Sequence, residues 1–229
     1  MKVGILCAGD TEFLPFQKYL EEETVTKKAM LSFHQGKIGS VPVVALYSGV
    51  CKVNAAIAAQ LLIDVFQTDV IINAGTAGGI DEGVRLFDTV VADGMAYHDV
   101  ADDILTEFHP WLPSIYFAPS QKLLELMRTY SKSVKYRILF GTAVTGEAFV
   151  ENDRRREIAE KYHPLTVDME TAAIAHVCYV NEIPFLSVRT VTDTARHDGI
   201  ENFEKNCERA SDISAEIVAS FVRCVLPRF

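Results

Sequence analysis

The chain has 229 residues, 49% hydrophobic and 23% charged, a globular balance that leaves room for a sizeable core. Its formal net charge of −9 argues against a sequence-independent grip on nucleic acid or on anionic lipid. No stretch reaches the ~18 uninterrupted apolar residues of a membrane span, so the composition suits a soluble protein that handles small molecules, with no nucleic acid or membrane as partner.

Apolar runs of strand length alternate with helical patterns along the whole chain. "MKVGILCAGD" holds an apolar run too short for a signal peptide and reads as a first strand near 2–8, leading into a helix near 12–22. "MLSFHQGKIG" and "VPVVALYSGV" read as a hairpin, separated by Gly36 and Gly39. "KVNAAIAAQLLIDVF" (52–66) has apolar residues at helical spacing, and "DVIINAGTAGG" (69–79) is a buried strand closing on glycines. A strand over 87–97 precedes an excursion from His98 to Pro119, rich in proline and carrying the only tryptophan.

A helix over 120–130, a strand over 136–146 and a charged helix over 151–162 come next, the "DRRRE" run of that helix reading as a solvated face. In "LTVDMETAAIAHVC" (165–178), Asp168 and Glu170 sit where an apolar strand meets an alanine-rich helix. The last strand is "PFLSVRTVTD" (184–193), and an amphipathic helix over 203–226 closes the chain. The pattern predicts one α/β domain over 1–229 with a mixed, largely parallel, twisted central sheet flanked by helices. The five cysteines, Cys7, Cys51, Cys178, Cys207 and Cys224, are scattered and lack CxxC spacing, the usage of a reducing cytoplasm.

In such sheets ligands collect beyond the carboxyl ends of the strands, and those ends carry unusual residues. Glu12 comes after the first strand, Glu170 and Asp193 stand at two others, and Arg189 interrupts the apolar run "SVRTV". Each acid alone has an ordinary explanation as a cap or first-turn residue. Converging on one sheet edge, they imply a metal or acid–base chemistry on a polar ligand, since desolvated carboxylates without partners cost several kcal/mol. The six histidines show no metal-ligand spacing with one another or with the cysteines. "GTAGG" is neither GxGxxG nor a P-loop, though its glycines allow close backbone approach and Thr76 adds a hydroxyl. Met169, Phe149 and Phe203 adjoin the acids and would suit the flat face of a sugar or base.

Taken in order, "KVGILCAGDTEF", "SGVCKVNAA", "DVIINAGTAGG", "VTGEAFV", "VDMETAAIAHVC" and "PFLSVRTVTDTA" resemble the 5'-methylthioadenosine/S-adenosylhomocysteine nucleosidase family across nearly the whole chain. The resemblance implies a nucleoside phosphorylase-like fold and hydrolysis of the N-glycosidic bond of an adenosine lacking its 5'-hydroxyl. It implies that Asp193 protonates adenine N7 and that Glu12 positions and deprotonates the attacking water. Glu170 would then accept hydrogen bonds from the ribose hydroxyls while Met169 packs against the sugar. Phe149 would stack on adenine, with the Val150 backbone at the purine edge. Thr76 would lie near the water and Arg189 would order the acids. Val50 and Phe203 would line the 5'-substituent pocket, joined by Pro113 from a second subunit. The same resemblance implies a homodimer, for which Phe108 and Trp111 offer interface anchors, and calls for no cofactor and no metal.

Two other readings compete. A purine nucleoside phosphorylase would need a cluster of donors for phosphate, whereas the first-strand loop here carries Glu12, which repels an anion. A non-catalytic nucleoside-binding protein on the same scaffold would be expected to lose either the acid or the water-activating residue, and both are present. Leu105 stands where the family usually has an aromatic residue from the partner subunit.

Overall fold

The computed structural model describes residues 1–150, 152–194 and 200–228. The chain begins with strand β1 (Val3–Cys7), helix α1 (Asp10–Gln17) and three strands, β2 (Glu21–Lys28), β3 (Leu31–Ile38) and β4 (Val41–Tyr47). Helix α2 (Lys52–Asp64) leads to β5 (Val70–Gly79), β6 (Thr89–Tyr97), the short α3 (Ile104–Glu107) and α4 (Gln121–Ser131). The remainder alternates: β7 (Ile138–Thr145), α5 (Asn152–Tyr162), β8 (Thr166–Asp168), α6 (Thr171–Val180), β9 (Phe185–Asp193) and α7 (Ile200–Cys224).

The strands form one mixed sheet in the order β2-β3-β4-β1-β5-β8-β7-β6-β9, with β9 also paired to β5. β1, buried at all five positions, lies parallel to both β4 and β5. Strands covered on both faces read as continuous apolar runs, and "VGILC" does. Because β9 runs parallel to β5 and antiparallel to β6, the second half of the sheet closes on itself as a ring. Packed on one side are α1, α4 and α7, with Phe16 and Phe221 fully buried against Ile5, Ile72 and Val188. On the other side the small residues Ala55, Ala58 and Ala59 of α2 meet Ala172, Ala173 and Ala175 of α6. Burying a side chain such as Phe221 contributes about 1.5–3 kcal/mol.

One predicted element needs correction. The helix expected over 12–22 ends at Gln17, and the chain then forms β2, which has no counterpart among the expected strands. All eight residues of β2 are exposed, so no buried face imposes an alternating pattern. Its Glu and Lys side chains are those that keep an edge strand from pairing further. The predicted hairpin is β3 with β4, and α7 begins three residues earlier than expected. Residue 151, the expected start of the charged helix, lies outside the described residues. Among the described residues no helix is long and apolar enough to cross a membrane.

Two features of β5 shape the carboxyl end of the sheet. Its pairing with β1 stops at Asn73 and its pairing with β8 starts only at Gly78. Between them the strand edge has no strand neighbour among the described residues, and its N–H groups need other acceptors. Toward β9 the register slips between Ala77 and Gly78, so that Gly78 faces Asp193 instead of Thr192. Such a bulge re-aims the side chains beyond it.

Candidate active site

A cavity of about 440 Å³ opens at this end of the sheet. Glu12, Asp193, Glu170, Met169, Phe149, Val150, Thr76, Val50, Arg189 and Phe203 all line it. Pro113 does not; it lies exposed on the excursion. The Phe149 and Phe203 rings face each other edge-on, with centroids 6.4 Å apart.

Glu12 stands in the first turn of α1, whose N-cap Gly9 has no side chain to satisfy the free N–H groups. Its carboxylate turns back and accepts from the N–H of Ala8 at 2.7 Å and of Gly9 at 3.1 Å, one half of a capping box. The other carboxylate oxygen accepts from the Thr76 N–H and the Thr76 hydroxyl, both at 2.7 Å. Glu12 thus fills the gap where β5 has left β1 and not yet met β8. The approach is close enough that a Cβ on Gly75 would lie 2.5 Å from the Glu12 carboxyl carbon, and Gly75 holds φ +148°. Only glycine fits there.

Arg189 answers why β8 ends in negative charge. Buried on β9, its guanidinium contacts Glu170 at 2.9 Å, Asp168 at 3.3 Å and Glu12 at 3.7 Å. Burial alone would lower its pKa, but the carboxylates of Asp168, Glu12 and Glu170 outweigh that and raise it, so the guanidinium stays charged. Asp168 also accepts from the Thr145 hydroxyl at 2.7 Å, the N–H groups of Glu170 and Thr171 at 3.0 and 2.9 Å, and the Thr171 hydroxyl. It caps the start of α6 and leaves Glu170 facing the cavity. Glu170 accepts the Cys51 N–H at 2.9 Å from the turn before α2. Burial pushes the Glu170 carboxyl above its ordinary value, with Arg189 pulling the other way.

Asp193, 1% exposed, ends β9 just past the bulge. It accepts from the Thr192 hydroxyl at 2.9 Å and from Arg155 of α5 at 3.2 Å, and Arg155 also donates to the Gly79 carbonyl. This corrects the reading of "DRRRE" as a wholly solvated face: Arg154 and Arg156 are exposed, but Arg155 is 6% exposed and ion-paired. Sequence reasoning missed it, although helical phase contains the signal. Arg155, Ile158 and Tyr162 share one face of α5, and all three are buried. Asp168, Ala148, Asp10, Glu204 and Cys207 also line the cavity without having been assigned to it.

Residues 2–223 match the phosphorylase superfamily model. The 5'-methylthioadenosine/S-adenosylhomocysteine nucleosidase of Exiguobacterium sp. is 34% identical over 97% of this chain and 98% of its own length. The nucleosidase of the same name from Listeria monocytogenes is 33% identical over 98% of this chain and 100% of its own. The solved structure of the Neisseria meningitidis nucleosidase, in complex with methylthio-immucillin-A, superimposes with a TM-score of 0.89 at 29% identity, covering 98% of this chain and 99% of that one. The chain belongs to the phosphorylase superfamily and, within it, to the 5'-methylthioadenosine/S-adenosylhomocysteine nucleosidases, which are N-ribosyl hydrolases.

Proposed function

We propose that the chain hydrolyses the N-glycosidic bond of 5'-modified adenosines, 5'-methylthioadenosine and S-adenosylhomocysteine among them, to adenine and the 5'-modified ribose. Asp193 gives its proton to adenine N7 as the bond from C1' to N9 breaks and its electron pair passes to the purine. Water attacks C1' and loses a proton to Glu12. The ribose passes through an oxocarbenium-like cation, which the cavity's carboxylates stabilise where the charge develops. Glu170 accepts from the ribose hydroxyls, Met169 packs on the sugar, Phe149 stacks on adenine and the Val150 backbone meets the purine edge. Thr76 holds Glu12 by its N–H and hydroxyl, and Arg189 fixes the acids. Val50 and Phe203 take the 5'-substituent.

The observation that carries this reading is that two carboxylates built in different ways share one cavity. Glu12 accepts four hydrogen bonds from neighbouring donors, while Asp193 is buried against a hydroxyl and a guanidinium. With two carboxyls reaching one cavity, one can receive a proton while the other gives one, the division of labour that two-carboxyl glycosidases use. Phosphate as the nucleophile would have to approach Glu12 itself.

The reading extends to assembly. Phe108 and Trp111 are 59% and 64% exposed on the excursion, apolar surface that a second copy would cover in a homodimer, with Pro113 of the excursion as the residue offered to the 5'-pocket. The proposed reaction calls for no cofactor or metal, and a cytoplasmic location fits the free thiols.

The test is turnover of 5'-methylthioadenosine in phosphate-free buffer, with adenine and the free methylthioribose as expected products. A requirement for phosphate with ribose 1-phosphate as product would overturn it. Asp193→Asn should lower kcat by ~10²–10⁴-fold while still binding a nucleoside analogue.

A further inference from the structure

We propose that Arg155 is a positioning residue for the reaction, acting through Asp193 from behind the cavity wall. The inference rests on Asp193 being the proton donor. Arg155 is not among the residues that line the cavity. Its guanidinium fork spans two elements: one arm donates to the Gly79 carbonyl at the end of β5, the other to Asp193 at the end of β9. These are the strand ends that the register slip brings together. With the Thr192 hydroxyl on the other carboxyl oxygen, the fork fixes the plane of the Asp193 carboxyl. The helix that carries Arg155 begins just after Phe149 and Val150, which line the same cavity. The wall where the base would sit and the acid that would protonate it are therefore both tied to α5.

The pairing also sets when Asp193 holds its proton. Sharing the cavity with Asp193 are the carboxyls of Asp10, Glu12, Asp168, Glu170 and Glu204, the Cys207 thiol and Arg189. Arg189 is engaged with Glu12, Asp168 and Glu170. Arg155 is ion-paired with Asp193, and it favours the ionised carboxyl over the protonated one. Arg155 thus limits how far toward alkaline pH the acid keeps the proton it must deliver.

The experiment compares Arg155→Gln, Arg155→Lys and Asp193→Asn in the full chain, measuring kcat and KM for 5'-methylthioadenosine across pH, with thermal unfolding of each. Arg155→Gln should lose kcat by ~10²-fold with KM little changed, as a misplaced catalytic group does. The alkaline limb of its kcat/KM should move upward by about one unit or more. Arg155→Lys keeps the charge but not the fork: its limb should stay in place while the plateau of kcat falls. A merely structural arginine would lower the unfolding temperature and leave the limb unmoved. Unchanged kcat and limb in Arg155→Gln, with Asp193→Asn inactive, would overturn the inference alone; an active Asp193→Asn would overturn the proposed function beneath it. If Arg155→Gln does not fold, Arg155→Lys decides: a wild-type plateau overturns the inference, and a lowered one at the wild-type limb supports it.

Discussion

Two buried arginines organise the carboxylates of this cavity, and they do it differently. Arg189 faces the cavity and gathers three acids from two parts of the chain: Glu12 from the first helix, and Asp168 and Glu170 from the end of β8. Arg155 stands behind the wall and holds Asp193. Around Arg189 the carboxylates also take backbone N–H groups of Ala8, Gly9, Thr76, Cys51 and Thr171, so donors at three helix starts and on β5 depend on their staying put. Asp193 takes two side-chain donors, the Thr192 hydroxyl and the Arg155 guanidinium. The first arrangement is part of the fold. The second is an adjustment to one group, and a hydrolase that needs one acid charged and another protonated needs both kinds.

If that contrast is right, Arg189→Met should be the most damaging single change to stability. It strands the carboxylates of Glu12, Asp168 and Glu170 in a buried site, and breaking a buried pair costs ~3–5 kcal/mol. For a chain of this size that is a fall in Tm of roughly 6–20 °C. Thermal unfolding at neutral pH checks it, and Arg155→Gln should cost clearly less in the same assay. Equal losses would erase the distinction between the two arginines.

The glycines of β5 sharpen the same comparison. An alanine Cβ at Gly75 would meet the Glu12 carboxyl at 2.5 Å in a conformation that side chains avoid, whereas at Gly78 it would meet Asp193 at 3.1 Å without that conformational penalty. Gly75→Ala should cost ~1–3 kcal/mol and push Glu12 off the Thr76 N–H, with turnover falling ~10²-fold. Gly78→Ala should be milder on both counts, because Asp193 needs to give only a few tenths of an ångström. Parallel measurement of Tm and kcat for the two variants decides whether the Glu12 side is the rigid one.

The same contrast governs what the sequence reveals. Arg189 stands out because a lone charge breaks an apolar run, and Glu12, Glu170 and Asp193 stand out at strand ends. Arg155 is hidden between two other arginines, and only its phase with Ile158 and Tyr162 separates it from them. Contacts such as Glu12 to Thr76, 64 residues apart, depend on which strands stop short, and no local pattern records that. The slip that turns Asp193 toward Gly78 is likewise a property of paired strands. β2 escaped because it buries nothing, and hydrophobic periodicity reports burial. The resemblance carried the roles of individual residues further than periodicity could, but it left the supports of Asp193 unread.

Glu170 tests the Arg189 side where the expected effect on stability is smallest. Burial raises its carboxyl above the ordinary 4.5, and Arg189 only partly offsets this. The folded chain then holds this proton over a pH range in which the unfolded chain has released it. The group's contribution to stability is therefore full below about 4.5 and is lost as pH rises through the folded value. An amide does not titrate, so Glu170→Gln removes that loss, while the Cys51 N–H keeps an acceptor in the side-chain oxygen. The Tm of the variant should decline less than wild type as pH rises above about 4.5. Binding should suffer instead, because an amide cannot accept from both ribose hydroxyls: kcat/KM should fall ~10–10²-fold, the worth of a hydrogen bond to a charged group. A pH profile of Tm parallel to wild type would mean that Glu170 is not held against its charge, and that Arg189 already neutralises all three of its partners.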